Sequence, residues 1–114
     1  MTQPTPEQLA QTQLEAYNTR DLDAFMSVYA PDVTIFRHDT REVMMSGHEA
    51  MRETYRQMFA ASPELHCQLV NRMVMGDYVI DHEHVTGRMG APPLDAIAIY
   101  QIKDDLISRV WFIK

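Results

Sequence analysis

The chain has 114 residues, 46% of them hydrophobic and 23% charged, which suits one compact domain and excludes a disordered polymer. A net charge of −6, with Lys and Arg scattered from Arg20 to Lys114 rather than clustered, argues against nucleic-acid and anionic-membrane partners. No apolar run approaches the ~18 residues of a membrane span, and the stretch MTQPTPEQLA lacks the basic start and apolar core of a signal peptide.

In chain order, Thr5-Pro6-Glu7-Gln8 carries the signature of a helix start: Thr at the N-cap, Pro at the first helical position, Gln three residues after the cap. The spacing predicts a helix to about Asn18. A second helix is predicted from Asp21, with Leu22, Phe25, Met26 and Tyr29 as one stripe and Pro31 as its end. Val33 to His38 is β-branched and aromatic and reads as a strand, with a short extended piece at Val43–Met45. Ser46-Gly47-His48-Glu49 reads as a capping box opening a third helix, whose Met51, Tyr55, Met58 and Phe59 share a face before Pro63 closes it.

From His66 the period becomes strand-like. Strands are predicted at about 66–75, 78–86, 94–103 and 106–113, with two-residue turns at Gly76-Asp77 and Asp104-Asp105 and a looser link from Gly87 to Pro93. Three helices followed by connected hairpins make an α+β domain, 1–114, with helices packed on one face of a curved, mostly antiparallel sheet.

A two-residue loop at Gly76-Asp77 fixes the register of its hairpin. Val74 then lies opposite Val79, Arg72 opposite Asp81 and Val70 opposite Glu83, all on one face. Met73, Ile80, His82 and His84 share the other. Arg72 and Asp81 are placed to pair, whereas Glu83 has no cation across from it. A buried carboxylate without a partner has its pKa pushed upward, which suits general acid–base chemistry near neutral pH. The same pattern also fits a wet face, or an arginine that neutralises both acids.

Three stretches in order, YNTRDLDAF (17–25), YAPDVTI (29–35) and SGHEAMRETY (46–55), resemble the nuclear-transport-factor-2-like superfamily, in its SnoaL-like and ketosteroid-isomerase-like branch. VIDHEHVTG (79–87) and RVWFI (109–113) look like a bacterial subgroup labelled steroid delta-isomerase-like. The resemblance implies a cone: a strongly curved sheet wrapped round the N-terminal helices, with an apolar pocket for a small hydrophobic molecule and a homodimer formed through the outer sheet face. It places Arg72, Asp81 and Glu83 inside. It matches Tyr55 to a supporting tyrosine of the third helix. At the isomerase's own functional positions stand Gln13 (for a tyrosine), Arg37 (for the aspartate base) and Ala98 (for a neutral aspartic acid), so the known isomerase constellation is not repeated.

The candidate catalytic residues are therefore Glu83 and Asp81. Arg37, Arg72 and Arg109 are expected in the pocket as polar partners, and Gln13, Tyr17, Tyr29, Tyr55, Phe59, Ala98 and Trp111 as its lining. Aromatic residues at such spacing also suit plain core. Trp111 would face Ala98 across the last hairpin. His82 and His84 share a strand face, but no third ligand lies near them, so no metal or other cofactor is expected. Cys67, the one cysteine, precludes an internal disulfide, fits a reducing cytoplasm and reads as a buried structural thiol. The expected function is acid–base chemistry on a small carbonyl or polyketide-like compound, of isomerase or lyase type. The alternative is a non-catalytic ligand-binding or dimeric accessory module.

Overall fold

Helix α1 (Pro6–Thr19) starts at the predicted capping box, with Gln8 N–H donating to Thr5 Oγ1 and Thr5 N–H donating to Gln8 Oε1. It ends where Arg20 takes the left-handed conformation, its N–H bonded back to Ala16 and Tyr17 carbonyls. The structure, a computed structural model, describes residues 3–114; the first two residues of the N-terminal stretch discussed above lie outside it.

Helix α2 (Leu22–Met26) is capped by the Asp21 side chain but is shorter than its stripe suggests. The chain is already extended at Tyr29, where strand β1 (Tyr29–Arg37) begins. Pro31 lies inside that strand, within the irregular stretch where pairing to β6 slips between Tyr29 and Thr34. A proline has no N–H for the ladder, so an irregular stretch is where a strand tolerates it. Strand β2 (Val43–Ser46) includes Ser46, which therefore does not cap the next helix. Gly47, at φ 92°, is the N-cap of α3 (His48–Ala61), with no side-chain cap bond.

Strands β3 (His66–Met75), β4 (Tyr78–Thr86), β5 (Leu94–Lys103) and β6 (Leu106–Ile113) follow as hairpins. The sheet order is β2-β1-β6-β5-β4-β3, antiparallel throughout except where β1 runs parallel to β6. Both two-residue turns form: Gly76 takes φ 57°, and Asp104 and Asp105 both take the positive φ that a primed hairpin turn demands. The helices fill the concave side, where Leu9, Leu14, Phe25, Met51 and Phe59 pack on Val33, Ile35, Val79, Ile107 and Val110.

Two β-bulges set which residues face that core. In the β3–β4 hairpin the register holds from Met75↔Tyr78 to Asn71↔His82, then slips at Val70, so that Leu69, not Val70, faces Glu83. Val70 turns outward and Cys67 turns inward, where it is buried. In the β5–β6 hairpin a slip between Gln101 and Ile102 leaves Ile107 and Val110 both inside. One extra residue in a strand sends every later side chain to the opposite face.

Candidate functional site

The side chains that line the interior hollow come from every layer. From the helices come Gln13, Leu14 and Tyr17 of α1, Phe25 of α2, and Tyr55 and Met58 of α3. From the sheet come Tyr29, Cys67, Glu83, Val85, Leu94, Ala96, Tyr100 and Phe112, with Arg88 and Lys114 completing the wall. The cavity measures about 110 Å³. It exists because Glu83 faces Ala96 across the β4–β5 ladder, so a methyl stands where a larger side chain would fill the floor. Gln13, Tyr29, Glu83 and Tyr100 are buried, whereas Met58, Arg88, Leu94, Phe112 and Lys114 are partly or fully exposed and form the mouth.

Around the floor runs a box of aromatic rings. Phe25 lies 4.7 Å from Tyr55 and 5.2 Å from Tyr29 between ring centres, and Phe59 packs edge-on to Tyr17 at 5.6 Å. Phe59 supports the wall from behind without lining the cavity.

A directed hydrogen-bond chain crosses the floor. Tyr29 Oη donates to Gln13 Oε1 at 3.2 Å. Gln13 Nε2 donates to Tyr100 Oη at 3.1 Å and to the Ala10 carbonyl at 3.0 Å. Because Tyr100 accepts from Gln13, its own proton is left to turn toward Glu83. By contrast, the Tyr17 and Tyr55 hydroxyls make no hydrogen bond to protein among the described residues and open onto the cavity.

Glu83 is 6% exposed, and burial raises its pKa to about 7. The nearby negative charge of Asp81 pushes the same way. The Cys67 thiol, Arg72 and the Tyr100 hydroxyl favour the ionised form and only partly offset the cost of desolvation. Tyr17, Tyr55 and Cys67 have pKa values raised well above the ordinary range, first by burial and then by neighbouring negative charge, so all three keep their protons.

Asp81 takes a different part. It is fully buried, and Arg72 grips both its oxygens, Nε to Oδ1 at 2.7 Å and Nη2 to Oδ2 at 2.9 Å. The third arm of the guanidinium, Nη1, donates to Gln11 Oε1 at 3.0 Å. Arg72 and Asp81 thus pair as the sequence register requires, but neither lines the cavity. Ala98, opposite Asp81, is buried beneath the floor.

Three other expectations are corrected. Arg37 lies beyond the end of the core, 45% exposed and 3.5 Å from Asp39. Arg109 is exposed on the outer surface beside Asp32, Thr34 and Gln101. Trp111 also faces outward, opposite Ile99 and stacked on Phe36 with ring centres 5.6 Å apart, while Phe112 sits opposite Ala98 and reaches the cavity. The bulge between β5 and β6 accounts for Arg109 and Trp111, since it reverses the alternation that strand parity assumes. Arg88, Tyr100, Phe112, Lys114 and Cys67 are lining residues that the sequence did not bring forward. Cys67 and Phe112 were hidden by the bulges, and Arg88 by the loop that carries it.

A family model described as a SnoaL-like domain matches residues 10–110. The chain belongs to the SnoaL-like family. Its fold is shared with an uncharacterised cystatin-fold protein from Novosphingobium aromaticivorans, 30% identical, with 96% of this chain and 98% of that chain aligned at a TM-score of 0.88. A polyketide cyclase, so assigned without proof, from Sinorhizobium meliloti aligns at 22% identity over 92% and 93% of the two chains, TM-score 0.77. A ketosteroid isomerase assigned in the same way, from Kribbella flavida, aligns at 19% identity over 94% and 75%, TM-score 0.80. No curated protein sequence matches significantly. The SnoaL-like chain is thus the nuclear-transport-factor-2-like cone that its sequence resembles, and no helix among its described residues is long and apolar enough to cross a membrane.

Proposed function

We propose that this SnoaL-like protein binds a small, largely apolar carbonyl compound in the interior cavity and moves a proton on it, with Glu83 as the base. The observation that carries the reading is the buried Glu83 carboxylate, which borders the cavity without the arginine clamp that holds Asp81. The carboxylate takes the proton next to the carbonyl, and the electron pair left behind moves onto the carbonyl oxygen. The protonated hydroxyls of Tyr17 and Tyr55 face that space and supply hydrogen bonds to the developing oxyanion. Return of the proton to another carbon gives an isomerase, and loss of a leaving group gives a lyase.

The cavity limits the substrate. A dry cavity of about 150 Å³ accepts benzene, so a hollow of about 110 Å³ holds one small ring or a short chain. A steroid does not fit within it.

The test is proton exchange. Small ketones such as cyclopentanone and acetophenone, incubated with the protein in D2O, should gain deuterium next to the carbonyl, with a rate rising as pH passes through about 7 and Glu83 ionises. Glu83→Gln should slow the exchange roughly 100-fold or more. Exchange at the wild-type rate in that variant would remove Glu83 from the role.

A second reading, a non-catalytic binder, is favoured by the family resemblance, which implies Gln13, Arg37 and Ala98 at the positions where the isomerase carries its functional groups. A ligand that raises the melting temperature and is recovered unchanged would support it.

We infer in addition that a second copy covers the outer sheet face. Met73, Ile80, Ile99, Trp111 and Phe36 form a row of paired neighbours across five strands, and Val43 extends it to the sixth. A groove of about 440 Å³ lies along its Ile99, Trp111 and Phe36 end.

A further inference from the structure

We propose that the cavity mouth is an anion site: Arg88, assisted by Lys114, takes the carboxylate of a small apolar acid whose body occupies the hollow above Glu83. The proposal rests on the reading of that hollow as a ligand site and names the class of ligand.

Arg88 is held in place on one side and free on the other. Its Nη2 donates to the Pro92 carbonyl at 2.8 Å, while its Nε is buried with no hydrogen-bond partner among the described residues. Among the described residues neither Arg88 nor Lys114 makes an ion pair. A buried guanidinium N–H without an acceptor is costly, and it leaves the charge of Arg88 unneutralised by protein. Glu83 is not that acceptor: no ion pair joins them, and the arginine that most favours its ionised form is Arg72.

The loop bearing Arg88 is built to aim it. Gly87 takes φ +77°, and a Cβ there would lie 1.9 Å from the Glu64 carbonyl oxygen, so only glycine lets the chain cross the Glu64–Leu65 backbone so closely. Beyond the crossing, Met89 N–H donates to Oγ of the buried Ser62 at 2.9 Å, and Ala91 N–H closes a turn onto the Arg88 carbonyl at 3.1 Å. The crossing, the anchor and the turn hold the residues on both sides of Arg88, which lines the cavity between them.

Charge points the same way. The chain carries a net −6, yet among the described residues neither basic residue that lines the cavity is ion-paired, Glu83 being the one acid that shares the lining with them. Lys114 lies over the Phe112 ring, 5.0 Å from its centre, and its ammonium is made more acidic by desolvation and then by the positive charges of Arg88 and Arg37, which the negative charge of Glu83 only partly offsets. Mutual repulsion among cations is relieved by an anion placed between them. An arginine beside a ring-sized apolar hollow therefore selects a compact carboxylic acid over a neutral molecule of the same shape.

The experiment titrates the purified protein with benzoate and with its neutral isostere benzamide, following both by calorimetry and by amide chemical shifts. Benzoate should bind more tightly. Arg88→Met should weaken benzoate roughly 10- to 100-fold, as loss of a charge-assisted hydrogen bond does, and leave benzamide unchanged. Equal affinities for the two compounds, or equal weakening of both by Arg88→Met, would overturn the anion site while leaving the cavity as a ligand site. If neither compound shifts the resonances of Tyr17, Glu83 or Tyr100, both the anion site and the cavity reading fall. Should Arg88→Met not fold, Arg88→Lys decides. A point charge without the guanidinium fork must weaken benzoate and spare benzamide, and an unchanged benzoate affinity refutes the role of Arg88.

Discussion

Glu83 and Asp81 stand two residues apart on the same face of β4, and their surroundings separate them. Asp81 has both oxygens in the grip of Arg72, whereas Glu83 opens onto the hollow and is opposed chiefly by desolvation. Two consequences can be measured. Removing the arginine leaves Asp81 buried without its counterion, so Arg72→Met should cost about 3–5 kcal/mol in urea unfolding. A cost below about 1 kcal/mol would mean that Asp81 finds water or another donor. Glu83 has the opposite sign. In the folded protein it keeps its proton up to about 7, while the unfolded chain loses it near 4.5. Folding therefore takes up a proton between those values, and stability falls as pH rises through that window, with the full loss reached above 7. Glu83→Gln cannot ionise and escapes the loss. Its melting temperature should exceed the wild type's at pH 8, by up to about 3 kcal/mol in stability, with little difference at pH 4.5. Parallel curves across that range would show that the carboxylate is not desolvated.

At the scale of the elements, what the sequence made legible was what turn chemistry and counting reach. Gly76-Asp77 marks its turn, and the pairing of Arg72 with Asp81 lies only a few rungs away, so it follows from counting. The capping box at Thr5 fixes the start of α1 for the same local reason. The bulges carry no such mark. Val70 and Ser108 are ordinary strand residues, and neither glycine nor proline announces the slip. Beyond each slip the alternation is reversed, which is why Cys67 and Phe112 were not anticipated in the cavity and why Arg109 and Trp111 were expected there. Tyr100 was silent for another reason: its role depends on Gln13, 87 residues away. Gly87 was visible as a residue but not as a requirement, because the requirement comes from the crossing chain at Glu64. Gly87→Ala should destabilise the protein by well over the ~1–2 kcal/mol of a left-handed alanine, since the Glu64 carbonyl must also move. It should also release the Met89–Ser62 bond, seen as faster hydrogen exchange at Met89. An alanine variant as stable as wild type, with Met89 still protected, would show that the crossing relaxes at no cost.

For the whole molecule, the two faces of one sheet are apolar for different reasons. The concave face is covered by the helices, as a sheet packed on one side requires. The convex face has no cover among the described residues, yet its row from Met73 through Ile80, Ile99 and Trp111 to Phe36 is apolar on every strand it crosses, and Met73 is 60% exposed. Isolated apolar side chains on a surface need no explanation, but a contiguous row of this kind does. A two-fold partner offers the simplest cover, because a self-complementary patch meets itself, and a stable interface needs roughly 800 Å² from each copy. Sedimentation should then show a dimer at micromolar concentration. Ile99→Glu places a charge at the middle of the row, on a side chain directed away from the core. It should shift the protein to monomer while leaving its circular dichroism unchanged. The hollow opens on the concave side, so the variant should also keep any affinity for benzoate. Loss of the dimer together with loss of binding would mean that the two faces are coupled through β5, where Ile97 and Ile99 look outward and Ala96 and Ala98 look inward. A wild-type protein that sediments as a monomer at every concentration would remove the partner and leave the exposed row unexplained.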